Sequence, residues 1–516
     1  MSCGFFVVTK KYFRVFIKAY LGYEGVEKMK VLGIILALLG VFIVITLVRA
    51  IFFKEKKTET EKLLPEMIDM EKYCRDLSDA IKIKTISNYD RELVDWSEFD
   101  KFHAFLEERF PLVHQNMTKT KVADASLVYK WEGSDPSLDG IAMLAHQDVV
   151  PITAGTEQDW EHDPFSGYND GEFIWGRGAM DMKNHLIAVM ECMEELLNEG
   201  FQPKRTVYIC LGHNEEVVAA PDNGAKQIAA YLKEQGVHLE AVLDEGGAIL
   251  PVKLGKLLDI NLTGVGIAEK GSVNYKVSVN AKGGHSSQPP KHTAVGKLAD
   301  VIKDIENHQF KATMPDYLKQ LIKRVGMNAG YPLRVVLVNA PILQPVILAI
   351  AKRIPAAASL IRTCTAVTMA EGSPQFNVLP QKASVTVNFR TMPGVSIADV
   401  EKHIRKSVKN KDIDVEFLVG KESSQVSPTD SKAFQTIKEL AEAQNSKNLV
   451  TPFLVMGGTD AYNYEPVCEN IYRFAPFVAD TKLLLCTHGT NERIPIACCE
   501  DAIAFFKRYV RKMTQE

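Results

Sequence analysis

The sequence predicts an α/β protein with a mostly parallel central sheet covered by helices, an inserted small α+β unit and an N-terminal transmembrane helix. Three observations predict it. Apolar runs ending in acidic or histidine residues recur at "IAMLAHQD" (141), "RTVYICLGHNEE" (205) and "LEAVLDEGG" (239), with helix-patterned stretches between them. Strand–helix–strand alternation with continuous apolar strands is the pattern of a parallel sheet buried on both faces. Strands of alternating character, "KGSVNYKVSVNAKGGHSSQPP" (270–290) and "KASVTVNFR" (382–390), mark a different, half-exposed unit in mid-chain. Near the start lies "VLGIILALLGVFIVITLV" (31–48), eighteen uncharged residues.

Taken in order, residues 1–30 form an N-terminal tail and 31–53 the anchor or signal segment. Its length suits a membrane span. Arg49 follows with no small-residue cleavage site, which favours an uncleaved anchor; a signal peptide, with Met29 as an alternative start, is the rival. Six Lys/Arg precede the span and four follow closely, a weak bias toward a cytoplasmic N-terminus. The expected location is therefore a single-pass membrane protein with its catalytic part on the lumenal or outer side, or a secreted protein if the segment is cleaved. "FFKEKKTETEKLLPEM" is a charged linker, and Met70, Tyr73, Leu77 and Ile81 then recur at helical spacing. "NHLIAVMECMEELLNEG" and "NGAKQIAAYLKEQG" each close on glycine, a common helix terminus. The first part of the main α/β domain is expected over 54–267, the inserted α+β unit over 268–420 and the second part of the main domain over 421–516. Within the inserted range, 310–365 is strongly apolar but broken by Pro341, Pro345 and Pro355. It reads as helices packed on the domain, with a membrane-dipping element as the rival.

Composition narrows the function. The 516 residues carry a formal net charge of −3, without the basic excess of nucleic-acid binders. Nine scattered cysteines contain no CxxC pair, so they read as free thiols rather than a disulfide framework or a cysteine zinc site. No G-x-S-x-G occurs, which disfavours a serine hydrolase.

His146 and Asp148, two apart at a strand end, point the same way. Asp181, Glu215, Glu216 and Asp244 join them at neighbouring strand ends, where α/β sheets place their ligand crevice, and His488 sits far downstream. Imidazole nitrogen and carboxylate oxygen suit zinc, and two such ions can clamp a hydrolytic reaction. Adjacent glutamates divide labour naturally, one ligating while the other moves a proton.

The motifs "MLAHQDVVP", "WGRGAMDMK", "GHNEE", "LDEGG", "GGHSSQPP", "FNVLPQKASVTVNFR", "MGGTDAYNY" and "HGTNERIP" resemble, in order, those of the aminoacylase/carboxypeptidase family, family 20 of the metallopeptidases. Within it the chain is most similar to the branch of carboxypeptidase S and the N-fatty-acyl-amino-acid synthase/hydrolases. The resemblance implies two zinc ions, with cobalt or manganese also compatible with such ligands. His146, Asp181 and Asp244 would hold one, and Asp181, Glu216 and His488 the other. It implies that Asp148 orients His146, that Glu215 is the general base and that a cis peptide follows Asp181. The resemblance makes the inserted unit, 268–420, a lid over the catalytic domain; in it His285 would reach the scissile carbonyl, while Asn377 and Arg390 would bind the substrate carboxylate and oxyanion. Gly457 and Gly458 would let backbone approach the substrate. Two departures flank the base: Asn214 stands where aspartate is common, and "VVAAPDNGAK" lacks the usual Gly-rich turn.

The implied reaction is zinc-dependent cleavage of the amide bond of a C-terminal amino acid in a peptide, or of an N-acyl amino acid, with condensation as its reverse. A homodimer through the lid is the implied assembly. A catalytically inactive fold serving as a membrane-tethered binding protein is the alternative.

Overall fold

The computed structural model describes residues 25–54, 63–217 and 220–515; most of the expected N-terminal tail, linker residues 55–62 and part of "VVAAP" lie outside them. The apolar segment is one helix, Gly25–Phe52, and most of its large side chains from Val31 to Phe52 face outward. Thr46 and Ala50 are buried exceptions.

The main sheet has nine strands. Across it lie Thr118–Val122, Ser126–Trp131, Val207–Gly212, Gly140–His146, Leu239–Asp244, Ile471–Arg473, Asp259–Glu269 and Asn448–Val455, and Ile249–Lys253 also pairs with Asp259–Glu269. Its centre is parallel: Gly140–His146 pairs in that sense with both Val207–Gly212 and Leu239–Asp244. Antiparallel pairs join Thr118–Val122 to Ser126–Trp131, Ser126–Trp131 to Val207–Gly212 and Ile249–Lys253 to Asp259–Glu269, while the edge strand Asn448–Val455 runs parallel to Asp259–Glu269, so the sheet as a whole is mixed. Every residue of Gly140–His146 and Val207–Gly212 is buried, as continuous apolar strands require. Helices Lys183–Asn198 and Cys499–Gln515 cover one face, through Leu186, Met190, Phe506 and Val510; Gly224–Glu234 covers the other through Ile228 and Leu232.

A second, four-stranded antiparallel sheet runs Cys364–Glu371, Lys382–Thr391, Gly271–Asn280, Ile413–Lys421. Helices Ala294–Asn307 and Ile397–Ser407 pack on it around Val277, Leu298, Val387, Phe389 and Ile404. The helices between these elements behave differently from the rest of that range. Asp316–Asn328 rests against strand Asn448–Val455, and Leu318 and Ile361 join the core of the main sheet, so this apolar stretch packs on the catalytic body.

Candidate metal centre

The parallel strands stop together, and their carboxyl ends deliver the site. His146 is the last residue of its strand; Glu215 and Glu216 sit in the turn after Val207–Gly212, and Glu245 in the bend after Leu239–Asp244. Gly212 is needed here because a side chain at that position would meet the Asp460 carboxylate. Asp181 lies in the loop before Lys183–Asn198, with a cis peptide to Met182.

Asp181 is shared. Its Oδ1 lies 3.1 Å from His146 Nε2, and its Oδ2 lies 3.0 Å from His488 Nε2. His488 Nε2 is also 3.0 Å from Glu216 Oε2, and His146 Nε2 is 3.4 Å from Glu245 Oε1. Asp148 supports both sides. Its carboxylate accepts the backbone N–H groups of Glu215 and Glu216 at 3.1 Å each and the Ser87 hydroxyl, while His146 Nδ1 faces its Oδ1 at 3.4 Å and its carbonyl oxygen at 3.0 Å.

The structure departs from the sequence at Asp244. Its buried carboxylate accepts the Ala461 N–H at 2.8 Å and forms no ion pair with His146 or His488 among the described residues. Successive side chains leave a strand end on opposite sides, so Glu245, not Asp244, faces His146. The sequence signal was present, since "DE" repeats the adjacent-acid pattern of Glu215 and Glu216.

Electrostatics show what the pocket wants. Burial, then the charges of Glu245, Asp460 and Glu216, push the Glu215 carboxyl well above the usual range against the pull of His146. Burial and Asp181 push Glu245 to about 8, and burial and Asp244 push Asp460 to about 7. Hydrogen bonds to Asp181 and Glu216 raise His488 to about 10. Against its burial, Asp148, Asp181 and Glu245 hold His146 well above its ordinary value. So many crowded carboxylates call for cationic charge. Glu216 Oε1 is buried with no hydrogen-bond partner, and His146 stands within ligand distance of acidic oxygens in two groupings. The donor set fits a divalent cation.

One pair was missed from the sequence. Glu492 Oε1 accepts the N–H groups of Gly178, Met180 and Asp181 at 3.0, 2.9 and 3.1 Å. Arg177 binds its Oε2 and donates to the carbonyls of His488 and Gly489. This buried pair thus fastens the Asp181 loop to the His488 loop, where His488 holds a left-handed φ of 60°. A cavity of about 510 Å³ opens onto Asp181 and Glu245. Its walls are mainly apolar, including Leu262, Leu321, Leu360, Phe453 and Phe477, and His185 joins them as an imidazole pushed by burial to about 3, both nitrogens unpartnered.

The lid residues stand apart. His285 and Asn377 line one hollow, whereas Arg390 lies near the opposite end of strand Lys382–Thr391, its charge felt by Lys270. Eight residues of strand separate Lys382 from Arg390, about 27 Å, so Asn377 and Arg390 do not meet one group within a single chain in this arrangement. No hydrogen bond or ion pair among the described residues links His285, Asn377 or Arg390 to the cluster. Gly457 and Gly458 are exposed after strand Asn448–Val455, and Gly458 lies against Lys421 and Glu269.

Residues 142–512 match Peptidase family M20/M25/M40. The chain belongs to this family. Family membership makes it a metal-dependent hydrolase, and the M20 fold accounts for the mixed sheet and its helices. Among M20 relatives it is 34% identical to the probable carboxypeptidase S-like 2 of Dictyostelium discoideum over 92% of each chain. It is 31% identical to the N-fatty-acyl-amino acid synthase/hydrolase of Mus musculus, over 84% of this chain and 86% of that one. Carboxypeptidase S of Saccharomyces cerevisiae is 32% identical, over 84% and 83%. In fold it is similar to the M20 metallo-carboxypeptidase Sso-CP2 of Sulfolobus solfataricus, with a TM-score of 0.59 at 17% identity, covering 85% of this chain and 98% of that one.

Proposed function

We propose that the protein is a membrane-anchored di-zinc amidohydrolase that cleaves amides of C-terminal amino acids, with N-acyl amino acids bearing an apolar acyl group favoured. One observation carries the reading: the apolar cavity of about 510 Å³ ends on Asp181 and Glu245, beside the carboxylate cluster. That volume suits a small organic ligand.

His146, Asp181 and Glu245 would hold one ion, and Asp181, Glu216 and His488 the other. Bound zinc lowers the pKa of water toward neutrality and polarises a carbonyl. Glu215 takes the proton of the attacking water, whose oxygen bonds to the amide carbon. As the carbon–nitrogen bond breaks, Glu215 returns the proton to the leaving amine. Asp148 fixes the His146 ring and the backbone carrying both glutamates. Arg390 suits a free carboxylate, and His285 and Asn377 the carbonyl oxygen. Their distance from the cluster is bridged by lid closure or by a second copy of the chain. A lid-mediated homodimer has support in the edge strand Ile413–Lys421, which exposes Phe417, Leu418 and Val419.

The test is a hydrolysis screen of the full chain in detergent against dipeptides, N-acyl amino acids of rising chain length and their carboxamides, alongside metal analysis. Long acyl chains are expected to be cleaved faster than acetyl ones, and carboxamides poorly. Equal rates for acid and amide would remove the carboxylate requirement. A metal-loaded but inactive chain would point to a binding protein instead.

A further inference from the structure

The helix Gly25–Phe52 does not stand free of the catalytic body. Tyr331 donates its hydroxyl to the Leu47 carbonyl at 3.2 Å, and the Asn339 amide donates to the Thr46 carbonyl at 3.1 Å. Those carbonyls lie about 8–9 Å inside the Phe52 end by the rise of an α-helix. The apolar span Lys30–Phe52 has 23 residues, about 34 Å, close to the hydrocarbon thickness of a bilayer. Its partners are therefore at hydrocarbon depth whenever the helix spans.

Those partners belong to a broken apolar pair, helices Tyr331–Leu337 and Ala340–Ala351, which meet at 88°. The break is polar, and lipid tolerates irregular backbone only where protein covers it. Asn339 is fully buried and its amide also bonds the Val335 carbonyl. Beyond the break, Ile342, Val346, Ile350 and Ile354 recur every fourth residue and are 43–51% exposed. Large apolar side chains in one exposed row are the mark of a surface meant to be covered. Lys352 and Arg353, exposed between Ile350 and Ile354, suit a headgroup layer at that end of the row. The opposite face of the same helix carries Ile347, Leu348 and Ala351, packed on the main core with Leu321 and Leu360. Leu321 and Leu360 line the cavity that reaches Asp181 and Glu245.

We infer that the broken helix pair 331–351 is seated in the bilayer leaflet that holds the C-terminal end of the anchor, so that the cavity at the metal centre takes its apolar substrates from lipid rather than from water. This rests on Gly25–Phe52 being an uncleaved anchor. The covering partner is phospholipid, because the row continues from contacts already made at hydrocarbon depth.

The test places the photoreactive residue benzoylphenylalanine at Leu38, Val346, Ile350 or Leu93 of the full chain in phosphatidylcholine nanodiscs. Lipid adducts are read by mass. Adducts at Leu38, Val346 and Ile350, with none at surface residue Leu93, are expected. An adduct at Leu38 alone overturns the inference and leaves the anchor standing. No adduct at any position removes the anchor and the inference with it, and a chain–chain adduct at Val346 makes the row a contact between copies. Kinetics supply a second reading. Joint substitution Ile342→Ser, Val346→Ser and Ile350→Ser is expected to lower kcat/KM for a long-chain amide in vesicles about tenfold or more. A short soluble amide should be cleaved as before. Equal losses on both substrates, or none on either, would overturn delivery from lipid.

Discussion

Asp148 makes no claim on substrate, yet it touches both halves of the cluster: the His146 ring and the backbone N–H groups of Glu215 and Glu216. Asp148→Asn is expected to weaken metal binding and activity by about 10–100-fold, the scale for a group that orients a ligand. Glu215→Gln should behave differently, keeping the metal while losing at least about a hundredfold in kcat. Paired metal analysis and steady-state kinetics separate the two, and a Glu215→Gln enzyme of normal rate would mean another base. The adjacent acids give the sharpest contrast. Glu245→Ala should strip metal, whereas Asp244→Ala should keep it and cost about 1–3 kcal/mol of stability by leaving the buried Ala461 N–H without its acceptor. That His146, Asp181, Glu216 and His488 come together was legible, because each ends or follows a recognisable motif. The Asp244 and Glu245 choice was not, because it depends on where a strand stops, to within one residue.

At the scale of elements, two features decide what the site can hold. The Arg177–Glu492 pair ties loops 315 positions apart in sequence, which no local pattern reveals. Glu492→Gln leaves a buried guanidinium poorly matched, and loss of one partner in such a pair costs about 3–5 kcal/mol. A fall of several degrees in Tm together with reduced metal content is expected; a stable enzyme with full metal would show that the two loops hold themselves. The cavity is the second feature. Leu360→Trp narrows it and should shift the kcat/KM ratio of long to short acyl substrates about tenfold toward the short, measured on one enzyme preparation. The buried parallel strands were readable as unbroken apolar runs, and the outer sheet as alternation. The helices between 316 and 361 were misplaced toward the lid because an apolar helix declares that it is covered, not by which sheet.

For the molecule as a whole, the proposed metal and membrane attachments would be two external supports. A ligand that binds only the folded state adds RT ln(1 + [L]/Kd), about 4 kcal/mol at a thousandfold excess over Kd. Chelation should therefore lower the unfolding temperature, and added zinc should restore it. A chelator-insensitive melting curve would mean that the carboxylates tolerate one another unaided. The chain should also stay with membranes through a carbonate wash, and release of a form beginning near residue 50 would identify a cleaved signal.

The place of strand Ile471–Arg473 carries a consequence for how the protein is made. It lies between Leu239–Asp244 and Asp259–Glu269, so the middle of the nine-stranded sheet is closed by chain made about 200 residues after both of its neighbours. Until that strand is made, a gap in the sheet stays open, with unpaired strand edges of the kind that aggregate. Termination anywhere before residue 471 would not yield a shorter enzyme. It would leave an unfinished sheet lacking His488 and Glu492 as well, a product for quality control to remove.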